Sequence, residues 1–429
     1  MISLFLALRP MVTGYSRLSA RQARAVLAIL ILGTLFCIEV AVSPLWQGNF
    51  EQKSRGSRDV ALFRAMVDRM HNGEGFYQAS AAELTARGYP TRSVFNWRTP
   101  LPMWPISRLP RVEWAKYFFA ALSLGVIVLA FEALARDQEF QWGQSYFCYI
   151  KGDSPIFTTR KSGQSPYIRF GCVVLLSGPL LFTVLDDLFV MPELWAGVLI
   201  ACSLCAYGMD KPKLGLGFGL TALFVRELAL PYCLLCAGMA LLEWWKCKGD
   251  SPIFADHRSA TESGKSGQFP WELVGWGLGF SAWLIFYGWH WWNVSGLINP
   301  GALAHKHGWI RFGGAGFVIA TAQMNAYLLL LPPWITALYF ASAMFGLGGW
   351  HSPLGTRIGL TVCLYVMFFA VVGQDFNQYW GSVIAPLLCF GVVRLPASMR
   401  DLCRAAGISI TKTPMYSPGA IESQKKNVA

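Results

Sequence analysis

Residues Ala25 to Trp46 read AVLAILILGTLFCIEVAVSPLW, an apolar run whose single charge is Glu39. A bilayer core of about 30 Å takes roughly 20 apolar residues as one helix, so the run has the length of a span. Trp114 to Leu134 and Arg357 to Gly373 repeat the pattern with few charges inside. The apolar run is too long for a secretory leader, and no small-residue cleavage pattern follows Val42-Ser43-Pro44, so it is expected to stay as an anchor. Of the 429 residues, 54% are hydrophobic and 14% charged, and the charges gather between the runs. A soluble core does not hide that much apolar surface, and the chain reads as a polytopic membrane protein.

The formal charge of +12 does not point to nucleic acid, because the basic residues lie in loops between spans and never form an aromatic-interleaved basic domain. The eleven cysteines lie mostly in or beside apolar runs, so free thiols are expected. Cys202-x-x-Cys205 and Cys233-x-x-Cys236 spell half a zinc site each, but apolar neighbours leave no polar second shell, and no metal site is assigned.

Arg9, Arg17, Arg21 and Arg24 precede the first span without an acid, which sets the N-terminus in the cytoplasm. Residues 47–112 then form a large outer loop. Loops at 136–169 and 246–270 fall inside, and Asp186-Asp187 and Arg226-Glu227 fall outside between paired spans. Phe317 to Leu331 reads either as a span or as a helix on the outer interface. The expectation is an all-α bundle of about ten transmembrane helices, within nine to twelve, forming one domain over residues 1–394. A basic, unstructured cytoplasmic tail follows at 395–429, with Arg400, Arg404, Lys425 and Lys426.

Lys151-Gly152-Asp153-Ser154-Pro155-Ile156-Phe157 recurs as Lys248 to Phe254, each copy followed by Lys-Ser-Gly-Gln. The flanking spans do not match, so this reads as a short repeat inserted twice into tolerant loops rather than a duplicated bundle. A phosphate loop would need a strand, a different glycine spacing and a following helix.

The first outer loop carries the most chemistry. Val60, Phe63, Val67 and Met70 recur at helical spacing between Arg58 and His71, so an amphipathic helix is expected, stopped by Asn72-Gly73. Asp59 heads it, either as its N-cap or as a general base for a sugar hydroxyl, with Asp68 as a rival. Phe95-Asn96-Trp97-Arg98-Thr99-Pro100 is a proline-bounded loop offering an amide, an indole and a guanidinium. Its alternatives are a sugar and phosphate site or an ordered cap on the helices beneath. Arg226-Glu227 interrupts an apolar run, where ionisable groups pair or face a watery cavity. His305 and His307 flank Lys306 in a tryptophan-bearing outer loop, and Gln374-Asp375-Phe376-Asn377-Gln378-Tyr379 is dense in sugar-type hydrogen-bond partners.

The Asp59 helix, the Phe95 to Pro102 loop, Arg226 to Tyr232 and the Asn377 to Pro386 run together resemble the bacterial GT-C glycosyltransferases, in particular mannosyltransferase-like members with a single first-loop aspartate. The resemblance implies a polyprenyl-phosphate sugar donor, a glycan or lipid acceptor, and contact with membrane lipids in a plasma membrane. Asp59 would deprotonate the acceptor, Arg226 or Arg98 would stabilise the departing lipid phosphate, and the anomeric carbon would invert. The tandem acidic pair of some relatives is missing from this loop, so a divalent cation stays open as a cofactor. The rival classes are a transporter or flippase of lipid-linked sugars, for which matching halves would be expected, and a polysaccharide ligase or polymerase.

Overall fold

A computed structural model describes residues 13–44, 53–137, 166–249, 271–299, 301–304, 308 and 310–408. Among them the chain is helical and has no strand, apart from an isolated antiparallel bridge between Ile310 and Val372. Helix α1 (Ala20–Val42) begins at Ser19, whose hydroxyl and Gln22 form a reciprocal capping box. Three shorter helices follow, α2 (Lys53–His71), α3 (Phe76–Ala86) and α4 (Met103–Ser107), before α5 (Trp114–Arg136). After that come α6 (Pro166–Leu181), α7 (Pro192–Gly208), α8 (Pro212–Val225), α9 (Leu230–Gly249) and α10 (Trp271–Ser295). The chain closes with α11 (Gly314–Thr321), α12 (Pro333–Gly348), α13 (Pro353–Val371) and α14 (Ala385–Ala405). Proline opens α7, α8, α12 and α13, where its missing N–H leaves no extra group unbonded.

By length and composition, α1, α5, α13 and the Glu227–Trp245 stretch ending in α9 can cross a membrane. The segment Phe376–Val383 joined to α14 at 63° would be a fifth. Side chains on these helices are bare where no other helix covers them: Ile29 and Leu32 on α1 and Tyr117 and Phe118 on α5 are more than half exposed. Such faces suit lipid and not water. The helices pack around a central α7, which meets α5, α8, α13, α14 and the 375–383 segment. Pro179 lies inside α6 and Pro396 inside α14. Pro179 cannot donate to the Leu175 carbonyl, and Cys389 Sγ donates to it at 3.3 Å instead.

Several expectations need correction. The first-loop helix starts at Lys53, so Asp59 lies well inside it and is not its N-cap; the polar run ahead of Asp59 is helical rather than a lead-in. Its end is as expected, since Gly73 takes φ +97° just beyond His71, a conformation that stops a helix. The stretch from Phe317 to Leu331 is not one continuous helix and is too broken to be a single helical span. It holds the short α11, which is buried in protein, then a turn and a 3-10 turn at Leu328–Leu330. Nor does the domain end at residue 394. Helix α14 runs to Ala405, with Leu402 fully buried and Asp401 accepting from the Thr13 backbone N–H at 2.7 Å. The described cysteines, including Cys202, Cys205, Cys233 and Cys236, are free. His305, His307, nearly all of both repeats and the chain after residue 408 lie outside the described residues.

Candidate active site

The amphipathic helix α2 turns Leu62, Phe63, Met66, Val67 and Met70 into the protein, where it packs on α3, α4, the Leu188–Val190 turn and the 375–383 segment. Arg64 is the clamp. Its guanidinium meets Asp68 on its own helix at 3.0 Å, Glu113 ahead of α5 at 2.6 Å and Asp187 in the α6–α7 turn at 3.1 Å. Asp68, the rival base, is therefore occupied in an ion pair. Arg64 holds the Glu113 carboxyl below its usual range.

The loop after α3 is fixed by its own polar groups. Asn96 Nδ2 donates to the Pro90 carbonyl at 2.6 Å, and the Trp97 indole to the Thr91 carbonyl at 3.0 Å. Thr99 then reaches the C-terminus of α8, its hydroxyl lying 3.2 Å from the Val225 carbonyl and 3.4 Å from the Phe224 carbonyl. Those carbonyls lack intrahelical partners where α8 stops, so the loop caps the helix break at Arg226, whose backbone is extended. His290, buried on α10, joins α3 to the loop that follows it: its ring nitrogens lie 3.2 Å from the Tyr77 hydroxyl and 3.3 Å from the Trp97 carbonyl.

Between α2, this loop and the 375–383 segment lies a cavity of ≈ 640 Å³. Its polar lining consists of Asp59, Arg58, Arg87, Tyr89, Asn96, Arg98, Asn377 and Tyr379, with Leu62, Phe63 and Phe376 as the apolar part. Tyr89 donates to Asp59 Oδ1 at 2.6 Å. Burial pushes the Asp59 carboxyl above the ordinary carboxylate range, against the opposing pull of Tyr89 and Arg98, and nearby Glu193 adds to the rise. Arg98 is 7% exposed and lies over the Phe63 ring at 5.7 Å. One terminal nitrogen donates to the Phe95 carbonyl at 3.1 Å and the other to the Tyr379 hydroxyl at 3.2 Å, which Asn377 Nδ2 also approaches at 3.2 Å.

Behind Arg98 sits a buried set of charges. Glu193, in the first turn of α7 and fully buried, accepts from Arg226 Nε at 2.8 Å and faces Arg98 Nε at 3.6 Å. Arg226 also pairs with its neighbour Glu227.

Of the residues singled out in the sequence, Asp59, Asn96, Arg98, Asn377 and Tyr379 come together on the cavity. Arg226 and Glu227 stand behind it and do not line it, and Trp97 serves to fix the loop. Gln374 is buried beside the segment, its backbone N–H bonded to Asn377 Oδ1 at 2.9 Å and its side chain to Arg311 at 3.3 Å and to the Gly308 carbonyl. Only the backbone of Asp375 is described; it opens the 3-10 segment Asp375–Val383. Sequence reading missed Tyr89 and Glu193. The signal for Glu193 is visible in retrospect, a lone acid at the head of the apolar run that becomes α7. The guanidinium of Arg98 is close enough to act electrostatically on Asp59, and no group of three His, Cys, Asp or Glu forms among the described residues. Comparison with protein-family models, with curated proteins and with solved structures finds no match for this chain.

Proposed function

We propose that the protein is a membrane glycosyltransferase that moves a sugar from a polyprenyl-phosphate-linked donor to a hydroxyl acceptor at the outer face, with inversion. The reading is carried by one observation: a carboxylate with a raised pKa and a nearly buried guanidinium share a polar, aromatic-walled cavity at the end of an apolar helix bundle. Asp59 takes the proton of the acceptor hydroxyl as that oxygen attacks the anomeric carbon. The bond from that carbon to the phosphate oxygen breaks, and Arg98 steadies the charge left on the lipid phosphate. Arg226 acts from behind Arg98 and does not touch the donor. Phe63, Phe376 and the two tyrosines suit the apolar faces of a sugar, and Asn96 and Asn377 suit its hydroxyls.

The spans belong to the same proposal. Helices α1, α5 to α10 and α12 to α14 cross the plasma membrane, ten in all, in a GT-C-like arrangement with both termini in the cytoplasm. Alternating crossings would bring Asp59, Asp187, Arg226 and Tyr379 to one side, and contacts among these regions support that order. The opposite side would hold the starts of α1 and α13 and the ends of α5 and α14. Thr13 bonds to Asp401 and Ser352 to Asp137 there.

The test is transfer of a radiolabelled sugar from a polyprenyl-phosphate donor by the purified protein. Wild type is expected to transfer and Asp59→Asn to lose turnover while still binding donor. Binding and release of the donor without hydrolysis or transfer, with movement of labelled lipid across vesicles, would replace this reading by the flippase.

A further inference from the structure

Glu193 is held between two buried guanidinium groups, those of Arg98 and Arg226. It is fully buried, and Arg98 and Arg226 beside it are 7% and 2% exposed. Burying charges in this way is costly unless each is matched, so the arrangement persists only where the partners are locked in place. The lock is asymmetric. Arg226 Nε makes a true hydrogen bond to Glu193 Oε1 at 2.8 Å, whereas Arg98 Nε stands off the same oxygen at 3.6 Å. Arg98 Nε and Glu193 Oε2 have no hydrogen-bond partner. Arg98 is thus drawn backward by charge without being consumed, and its two terminal nitrogens stay directed toward Phe95 and Tyr379 on the cavity side.

Without Glu193, the acid nearest in influence to Arg98 is Asp59, which already feels its charge. Arg98 would then swing onto the proposed base, and the anion site and the base would be lost together. We propose that Glu193 is a positioning residue: anchored by Arg226, it holds Arg98 off Asp59 and sets the guanidinium to receive a phosphate group in the cavity. The inference deepens the proposed transfer reading and rests on it for the identity of the anion as a phosphate. It does not require that sugar transfer be demonstrated.

Glu193→Gln keeps the volume and one acceptor oxygen while removing the charge. Binding of a short-chain polyprenyl phosphate in detergent micelles, with inorganic phosphate as a second probe, is measured for wild type, Glu193→Gln, Arg98→Gln and the double variant. Because Glu193 acts through Arg98, Glu193→Gln weakens binding by about tenfold when Arg98 is present and by less than about twofold when it is not. Glu193→Asp, which restores the charge, recovers part of the loss. Weakening of the polyprenyl phosphate alone assigns the site to the lipid donor, and equal weakening of both probes assigns it to phosphate in general.

Three results overturn the proposal: the same loss in both Arg98 backgrounds, tighter binding in Glu193→Gln, or no binding of either probe to wild type. If Glu193→Gln does not fold, Glu193→Asp in the two backgrounds gives the same comparison with a smaller effect. Failure of sugar transfer with the coupling intact would sink the transferase reading and leave this one standing.

Discussion

If Asp59 is the base, it depends on a hydroxyl 30 residues further along, since Tyr89 donates a 2.6 Å hydrogen bond that opposes the rise burial gives the carboxyl pKa. A base works only when deprotonated, so turnover should fall as pH drops through the raised Asp59 pKa. Tyr89→Phe removes a donor that favours the charged form, so that acidic limb moves to higher pH and activity returns when the pH is raised. A pH profile that stays in place, or moves down, would remove Tyr89 from this role. Asp59→Asn keeps an oxygen for Tyr89 but cannot accept the proton, and turnover is expected to drop about 10²–10⁴-fold with donor binding retained. Thermal stability in detergent checks that the fold is intact. Asp59, Arg98, Asn377 and Tyr379 were legible in the sequence because polar groups crowded beside apolar runs demand a reason. Tyr89 and Glu193 were not. A tyrosine in a loop is ordinary, and Glu193 looks like first-turn decoration at a helix start until Arg98 and Arg226 are seen on either side.

Helices carry the site residues only because certain surfaces close without a gap. At Gly197 on α7 an added Cβ would lie 2.1 Å from the Ser382 carbonyl oxygen, so this glycine lets α7 meet the segment that presents Asn377 and Tyr379. Gly197→Ala must push backbone apart, an overpacking penalty of about 1–3 kcal/mol, and should lower the melting temperature together with donor affinity. Gly238→Ala on α9 is the control, because nothing lies within 4 Å of its Cβ position; there the change should leave stability equal or raise it by about 0.5–1 kcal/mol. Equal losses from both variants would mean that packing at Gly197 is not special. Element boundaries were readable where ionisable residues mark them, as at Arg226-Glu227 between α8 and α9. They were unreadable after α11, because Gln323 and the backbone at Ala326 are accommodated by distant partners. Gln378 Nε2 donates to Gln323 Oε1 at 2.8 Å, and the Ala326 backbone N–H donates to the Gly178 carbonyl at 3.1 Å. No local pattern announces such a break, since the bonds that permit it come from tertiary structure.

At the scale of the whole molecule, the packing shows which loops share an end, and the charge pattern carries the proposed orientation. Arg64 ties α2 to Asp187, and the Arg98 loop meets both Glu193 and Tyr379, so three regions far apart in the sequence, 53–112, 187–193 and 375–383, gather at one end. That gathering was foreseeable from the parity of apolar runs, whereas the cavity itself was not, because it is enclosed by contacts between residues far apart in the chain. If the cavity end faces outward, Thr85, exposed in α3, is on the same side as Asp59. Thr85→Cys should then react with a membrane-impermeant maleimide on intact cells. Thr158→Cys and Ala260→Cys, in the repeat-bearing loops beyond the described residues, should react only after the membrane is opened. Each is placed in a variant lacking other cysteines, and since the described thiols are all free no disulfide among them is lost. The loops are also expected to be dispensable, so deleting Gly152 to Gln164 should leave turnover unchanged. Labelling of Thr158→Cys from outside would invert the topology and set Asp59 in the cytoplasm. A lipid-linked donor presented on the outer leaflet could not then reach it, and the acid-free arginines before α1 would have to be explained by something other than retention on the inner side.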